Sequence, residues 1–337
     1  MSELGKRGLF QRKNGYSMPI LFGISLQVIR PVVQSMVFAM CVVSCVSTGL
    51  GTKEEVAVEK TGQGTRTVRS WAYWLQDPIP QSVAELPVDL VVIDYSADGS
   101  DDHAWNALEV AQMARSDKRI WAYFSIGEAE SYRFYWKPEW ADAPPSFLGP
   151  ENEDWAENYK VRYWQEEWWE TALRPYLDRI LAAGFDGVYL DIIDAYWFWM
   201  DRGEPREIVA EGMAKLVCRI AEYCRAVNGP GFAVCPQNGM GLINELSLEW
   251  RSRYLAAISA IGVESLFFNL FSAEDGRRRR ELVRVFQGYG LPVLNVEYIS
   301  GDRIREYRQK VAGSGLQVVL FRAEPDQALD RVLPPLR

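Results

Sequence analysis

Eight short and almost continuously apolar segments recur along the chain from about residue 70 onward. They are residues 70–75, 89–96, 119–127, 187–194, 231–239, 262–268, 291–298 and 316–322. Such runs are typical of parallel strands that are buried on both faces. Most of the stretches between them place apolar residues three and four positions apart, as amphipathic helices do. The pattern therefore predicts eight strand-then-helix units.

Eight such units in about 270 residues match the size of a (β/α)8 (TIM) barrel. The main alternative is a doubly wound open sheet, which usually has a glycine-rich turn after its first strand. Residues 75–81, LQDPIPQ, follow the first predicted strand here and contain no glycine. The sequence thus favours an α/β protein with a single (β/α)8 barrel over residues 67–337.

The N-terminal part has a different pattern. Residues 31–44 form an apolar run that is too short to span a bilayer but has the length of a signal-peptide core. The run ends in Val42-Val43-Ser44-Cys45, which resembles a bacterial lipobox, the motif whose cysteine receives lipid. We therefore predict a lipoprotein leader over residues 1–45; another kind of signal peptide, or an uncleaved anchor over 18–46, is the alternative.

Residues 46–66 contain no aromatic side chain and mix glycine with charges, so they are predicted to be a flexible tether. Together, leader and tether predict an exported protein of the bacterial cell envelope, held to a membrane through lipid on Cys45. The partner predicted at this end of the chain is accordingly the membrane itself.

Composition excludes several kinds of site. The single histidine, His103, rules out zinc sites built on several histidines, and we expect it on the surface. Five cysteines without a C-x-x-C pair argue against zinc fingers, iron–sulfur clusters and thioredoxin chemistry. Cys218, Cys224 and Cys235 are expected to be buried and reduced, a Cys224–Cys235 disulfide being the alternative. No metal or other cofactor is predicted.

Charge argues against nucleic acid as a partner. The net charge is −8, and residues 1–45 carry five basic residues against one acidic residue, which leaves the remainder at −12. Phosphate binding needs clustered lysine and arginine. The run Arg277–Arg280 lies in a segment predicted to be a helix with an aspartate N-cap, where we expect these arginines to form a solvated face.

Acidic residues mark the ends of five of the eight predicted strands. They are Asp94, Glu128, Asp191 with Asp194, Glu264 and Glu297. In a barrel, the carboxyl ends of the strands form the active-site face. No lysine or histidine accompanies these acids, as an enolase-type metal site would require. Chemistry that needs only carboxylates, above all glycoside hydrolysis, fits best; capping of helices and pairing with arginine are the other uses of such acids.

Four segments, residues 122–136, 155–169, 184–196 and 293–298, resemble bacterial and archaeal (β/α)8 glycosidases related to glycoside hydrolase family 114. Characterised members of that family are endo-α-1,4-polygalactosaminidases. The family's fourth-strand pattern, D-G-V-x-P-D-N-x-D-G-Y, falls on 186–196 and retains Asp191, Asp194 and Tyr196 but not the proline, the asparagine or the second glycine. Its sixth-strand N-E-Q retains only Glu264, and its fifth-strand K-N retains only Asn238.

The resemblance implies a retaining, endo-acting enzyme that cleaves an α-linked, galactosamine-type polysaccharide, with Asp191 as nucleophile and Glu264 as general acid/base. Apolar neighbours of Glu264 are expected to raise its pKa. The residues expected to bind substrate are Asp94, Tyr123, Glu128, Asp194, Tyr196, Asn238, Glu297, Trp136 and Tyr159. Two alternatives stay open: a non-catalytic glycan-binding lipoprotein on the same barrel, and a glycosidase for a different sugar.

Six of the 13 tryptophans lie within residues 136–169, in or near a long connection after the third predicted strand. Aromatic rings there could stack on sugars, or they could pack the connection onto the barrel. Trp168 and Trp169 fall in a predicted helix, so we expect them to be structural. The other rings and the strand-end acids are expected to line one elongated groove.

Overall fold

A computed structural model of the chain describes residues 68–333 and 336. The predicted leader, its Cys45 and the predicted tether lie outside the described residues. Within them, no helix is both long enough and apolar enough to cross a membrane.

In the part of the chain that the structure describes, eleven strands form three sheets. Their bounds are β1 Trp71–Tyr73, β2 Leu90–Asp94, β3 Arg119–Ser125, β4 Glu128–Glu130, β5 Leu148–Glu151, β6 Asn158–Val161, β7 Gly187–Asp191, β8 Ala233–Pro236, β9 Ile261–Glu264, β10 Val293–Tyr298 and β11 Val318–Ala323. Eight of them, β1–β3 and β7–β11, are parallel to their neighbours and coincide with the eight predicted segments. The predicted α/β class with a parallel sheet is confirmed.

The parallel strands run in the order β1-β2-β3-β7-β8 in one sheet and β9-β10-β11 in the other. A parallel bridge between Gln237 and Gly262 joins β8 to β9. At the other edge, the Trp71 indole N–H of β1 donates a hydrogen bond to the Val319 carbonyl of β11 at 3.0 Å. Contacts at both junctions are consistent with a sheet that closes in the manner of a TIM barrel.

Ten α-helices accompany the strands within residues 68–333. They are α1 Pro80–Glu85, α2 Ala107–Met113, α3 Glu166–Trp168, α4 Arg174–Ala183, α5 Ala195–Asp201, α6 Arg206–Asn228, α7 Leu242–Glu245, α8 Leu248–Ala257, α9 Ala273–Gly288 and α10 Ile304–Ser314. A π-helical turn, Trp169–Leu173, joins α3 to α4. Helix α4 ends at Gly184 with φ +83°, a conformation that glycine adopts without a steric penalty.

Large side chains fill the space between the parallel strands. Trp71, Tyr73 and Tyr189 are at most 2% exposed, and the Tyr73 and Tyr189 rings lie 5.3 Å apart. Gly262 of β9 makes room for Tyr189, because a Cβ at this position would lie 2.1 Å from its hydroxyl. The interior under the carboxyl ends is thus packed with tyrosines, which place hydroxyl groups close to the acids above them.

The long connection after β3 contains an antiparallel sheet of order β4-β6-β5, here called the insertion sheet. We predicted a loop in this region, because strands of three and four residues with charged members show no apolar run. Trp168 and Trp169 are buried, and the Trp168 indole donates to the Ile126 carbonyl at 3.1 Å. Their predicted structural role is confirmed.

Several smaller predictions are also settled. Cys218, Cys224 and Cys235 are buried and free, so the disulfide alternative is wrong. His103 is largely exposed and pairs with Asp98 at 2.7 Å.

Helix α9 is capped by the Ser272 hydroxyl, not by an aspartate. Within its arginine run, Arg279 bonds to the backbone carbonyl of Glu264 at the end of β9 and Arg280 to that of Leu266 just after it, so only part of that run is a solvated face.

Candidate active site

Asp191 ends β7 and is held by two donors. The Tyr123 hydroxyl of the neighbouring strand β3 donates to Asp191 Oδ2 at 2.6 Å, and the backbone N–H of Ile192 donates to Oδ1 at 2.8 Å. Both donors are neutral groups. The side chain is therefore fixed in direction without a cation bound directly to it.

Glu264 ends β9 and is held in a similar way. Asn238, which follows β8, donates from its side-chain amide to Glu264 Oε2 at 2.8 Å and accepts from the Glu264 backbone N–H at 3.0 Å. The Tyr298 hydroxyl at the end of β10 donates to Oε1. Arg279 binds the Glu264 backbone carbonyl at 2.7 Å, so it fixes the backbone and not the carboxylate.

The backbone beside these carboxyls is strained. Ile192 has φ +60°, Asn238 +56° and Ser265 +51°. A positive φ is rare for residues other than glycine and unusual for a β-branched residue such as isoleucine. Strained backbone of this kind concentrates at functional sites, where the surrounding structure holds it in place. It surrounds both carboxyls here, since Ile192 and Ser265 directly follow them in the chain.

Burial raises the pKa of Asp191 to about 8; the negative charge of Glu264 adds to this rise, and the Tyr123 hydroxyl opposes it. The charge of Glu264 therefore acts on Asp191. The expectation of apolar surroundings for Glu264 is wrong, because its carboxylate contacts an amide and a hydroxyl. Its apolar neighbours in sequence, Leu266 and Phe267, are buried away from solvent.

Asp194 lies at the start of α5, close to the pair. Burial raises the pKa of its carboxyl, and the charge of Lys160 from β6 opposes this rise. Asp194 also raises the pKa of Asp191, so the predicted proximity of these two acids is found. The insertion sheet therefore brings a cation near the carboxyls, although no lysine stands at a strand end in the sequence.

Asp94, predicted to bind substrate, is fully buried and bound to a cation. Arg133 donates to its two carboxylate oxygens at 2.8 and 2.7 Å and to Glu130 at 2.6 Å. Arg133 and Glu130 are also buried. This triad, Asp94–Arg133–Glu130, joins the insertion sheet to β2 and leaves Asp94 no free surface, so the prediction for Asp94 is corrected to a structural role.

Glu128 is likewise fully buried. Lys160 forms an ion pair with it, and Asn152 donates to it at 2.8 Å. These partners come from β6 and from the segment between β5 and β6, so the Glu128 carboxylate binds the insertion sheet together. This arrangement does not support the predicted contact of Glu128 with substrate. The side chain of its partner Lys160 remains partly exposed to solvent.

Glu297 is the third acid with a structural role. It is fully buried and accepts hydrogen bonds from the backbone N–H groups of Leu266 and Phe267 at 2.8 Å and of Phe268 at 3.3 Å. Burial raises its pKa to about 7 despite these donors. Glu297 thus holds the loop that follows Glu264, and its predicted role in substrate binding is corrected.

The predicted aromatic contacts divide in the same way. Trp136 and Tyr159 are half-buried, with ring centroids 4.8 Å apart. Side chains alternate along a strand, and the neighbours of Tyr159, Asn158 and Lys160, contact Glu128, so Tyr159 points to the opposite face of the insertion sheet. These two rings therefore do not share a face with Glu128. Tyr196 is fully buried.

Sequence reasoning missed Tyr298, Lys160 and Arg133. Tyr298 follows Glu297 in β10. Because side chains alternate between the two faces of a strand, the two residues cannot both point towards Glu264, and this alternation could have indicated Tyr298 as a second candidate. Lys160 and Arg133 lie in the connection whose strands were not recognised. Within residues 68–333, no group of three or more histidine, cysteine, aspartate or glutamate side chains is placed to hold a metal ion.

Comparison with known proteins bears on this site. The sequence profile of glycoside-hydrolase family GH114 matches residues 52–331. The chain belongs to glycoside-hydrolase family GH114. The resemblance found in the sequence is thereby confirmed, and family membership supports glycosidase activity, as the carboxylate-only strand ends suggested.

One similar relative is an uncharacterized protein of Methanocaldococcus jannaschii, 34% identical over 273 residues, which are 78% of this chain and 77% of that protein. Two solved structures are similar in fold. The glycoside hydrolase domain of PelA from Pseudomonas aeruginosa has a TM-score of 0.58 at 18% sequence identity. The match covers 80% of this chain and 99% of the PelA domain. Aspergillus fumigatus Ega3 in complex with galactosamine has a TM-score of 0.56 at 17% identity, with coverages of 79% and 95%.

Proposed function

We propose that this GH114 member is an exported, lipid-anchored, retaining endo-glycosidase that cleaves an α-linked, galactosamine-type polysaccharide with Asp191 and Glu264. The observation that carries the proposal is the pair itself: two interacting carboxyls at the ends of β7 and β9, each held by neutral donors and partly open to solvent. The galactosamine bound in Ega3, a fold relative, supports the choice of an amino sugar.

In the first step, Glu264 gives its proton to the glycosidic oxygen while an Asp191 oxygen bonds to the anomeric carbon and the leaving sugar departs. In the second step, Glu264 takes a proton from water, the water oxygen bonds to the same carbon, and the bond to Asp191 breaks. Because the pKa of Asp191 is raised to about 8, this acid must lose its proton when substrate binds. A nearby ammonium group of an amino sugar favours that loss, since a positive charge stabilises the carboxylate.

The same pKa favours a second assignment of roles. A carboxyl with a raised pKa is the usual general acid, so Asp191 would protonate the leaving oxygen and Glu264 would attack the anomeric carbon. A mechanism-based fluorinated substrate separates the two assignments. It forms a long-lived bond to the nucleophile, and peptide mass spectrometry then identifies the labelled residue as Asp191 or Glu264.

The function is tested by incubating the purified full chain with a panel of bacterial polysaccharides that includes α-1,4-galactosaminan, followed by mass analysis of the products. We expect oligosaccharides from the galactosaminan, and a loss of turnover of about a thousandfold or more in Asp191→Asn and Glu264→Gln. Binding without products would instead support the glycan-binding alternative. Products from a different polymer would keep the enzyme class and correct the sugar.

The location is tested separately. If Cys45 carries lipid, Cys45→Ser leaves the protein unprocessed or releases it from the membrane fraction. If the Ser variant fractionates like the parent protein, the lipid anchor is wrong, whatever the outcome for the enzyme.

A further inference from the structure

Five consecutive parallel strands carry the groups around the catalytic pair. In sheet order they are β3 with Tyr123, β7 with Asp191, β8 followed by Asn238, β9 with Glu264 and β10 with Tyr298. The two carboxyls therefore stand on either side of β8, and the two tyrosines flank them from outside. Each hydroxyl reaches the carboxyl of the strand next to its own.

We propose that Tyr298 is a positioning residue for Glu264, and that Tyr298 and Tyr123 each serve one carboxyl of the pair separately. The inference rests on the proposed function, because it assigns roles within that catalytic pair. A hydroxyl that donates to a carboxylate stabilises its ionised form and fixes one of its oxygens, which leaves the other oxygen to a different partner.

Burial makes both tyrosines suitable for this task. Tyr123 is 3% and Tyr298 7% exposed, so neither side chain can turn into solvent. Burial and the nearby carboxylates raise the pKa of both hydroxyls, which therefore keep the proton that they donate. Each side chain is buried, and its hydroxyl bonds to one of the two carboxylates.

Other titratable or charged groups surround the pair and act on both of its members. Glu264 and Asp191 interact electrostatically with each other, and both interact in this way with Tyr73 of β1, Tyr189 of β7 and Asp194. Arg279 of α9 lies behind Glu264 at its backbone carbonyl, and its charge acts on Asp194. Tyr123 and Tyr298 differ from these groups, because the hydroxyl of each donates directly to one carboxylate: Tyr123 to Asp191, beside the Ile192 backbone N–H, and Tyr298 to Glu264, beside the Asn238 amide.

The test compares Tyr298→Phe with Tyr123→Phe in the full chain. Each variant removes one hydroxyl and raises the pKa of one carboxyl, so each should move one limb of the pH profile of kcat/KM upward by about one pH unit. We expect the two variants to move different limbs. Which variant moves which limb also shows which carboxyl carries the proton in the free enzyme.

Tyr163→Phe is the matched control. Tyr163 is also buried, and its hydroxyl donates to the Val209 carbonyl at 2.8 Å, away from the pair. The Tyr163→Phe variant should lose stability as the other variants do, and both limbs of its pH profile of kcat/KM should stay in place. If Tyr298→Phe and Tyr123→Phe move the same limb, or neither limb, the inference is overturned.

Asp191→Asn and Glu264→Gln are measured alongside. Should either keep most of its activity, the proposed catalytic pair fails; should both be inactive while the tyrosine variants move no separate limbs, only this inference fails. If a tyrosine variant is too slow for kinetics, carbon NMR of labelled Asp and Glu follows the two carboxyls directly. Unequal upward shifts, Glu264 in Tyr298→Phe and Asp191 in Tyr123→Phe, support the inference, and equal shifts overturn it.

Discussion

Five acids that mark the ends of predicted strands in the sequence form two groups in the structure, and the groups differ in what neutralises their carboxyls. Asp94, Glu128 and Glu297 are fully buried, with an arginine, a lysine or backbone N–H groups bound to them. Asp191 and Glu264 are partly exposed and held by hydroxyl and amide groups. All five occupy the same kind of position in the sequence, so position alone does not separate the structural acids from the two proposed to be catalytic. Their bound partners separate them.

The difference has an energetic meaning. A buried carboxylate is tolerated only where a cation or several N–H groups compensate for lost water, and the three structural acids have this compensation. The proposed catalytic pair lacks a cation bound to its oxygens, which leaves one member able to hold a proton. The acids proposed for catalysis are thus those that the fold stabilises least, whereas the structural acids join elements together.

Among the groups that bind the structural acids, replacement of Arg133 is expected to cause the largest loss in the free energy of unfolding. Replacing it with methionine leaves Asp94 and Glu130 buried without their cation, so the free energy of unfolding should fall by about 3–5 kcal/mol. Urea denaturation measures the change. Arg277→Met is the control, because Arg277 is exposed and its nearest acid lies 3.8 Å away; there we expect less than about 0.5 kcal/mol. Equal effects would show that the triad is not a structural anchor.

Lys160 tests the insertion sheet in the same way. Lys160→Met leaves the Glu128 carboxylate buried without its cation, and we expect the free energy of unfolding to fall by about 2–3 kcal/mol. The double variant Glu128→Gln/Lys160→Met should recover a large part of this loss, because it removes the orphaned charge. A double-mutant cycle from urea denaturation gives the coupling. Additive losses would contradict a direct role of the ion pair in stability.

Asp191 should behave in the opposite way to these structural groups. Its folded pKa is raised to about 8, so above its unfolded value near 4 the unfolded chain releases a proton that the folded chain keeps. Stability of the parent protein therefore falls as pH rises from about 4 to about 8. Asp191→Asn lacks this loss. The free energy of unfolding of the variant, relative to that of the parent, should therefore rise across that range by about 1 kcal/mol or more. Denaturation at several pH values measures it; a constant difference would show that the pKa is not raised.

Much of the fold was predictable because buried parallel strands leave continuous apolar runs, and all eight of them were found in the sequence. The proposed catalytic pair could be chosen from the sequence because Asp191 and Glu264 end two of these runs and match retained positions of the family pattern. The insertion sheet was not, since its short strands β4 and β6 pair charged residues such as Glu128 with Lys160 and show no apolar run. The roles of Asp94 and Glu297 depend on partners distant in sequence, Arg133 and the loop after β9.

The smallest expected effect concerns the strained backbone directly after Glu264. Ser265 follows Glu264 with φ +51°, and its backbone N–H donates to the Val296 carbonyl at 3.0 Å. Ser265→Gly removes the steric cost of this conformation and keeps the backbone bond, but it gives the unfolded chain more freedom. We expect these terms to leave the free energy of unfolding within about 1 kcal/mol of the parent value, on the stabilising side. A gain in stability together with a lower kcat would show that the strain helps to hold Glu264 in place. A loss larger than about 1 kcal/mol would contradict strain at this residue and would indicate that the serine side chain has a structural role of its own.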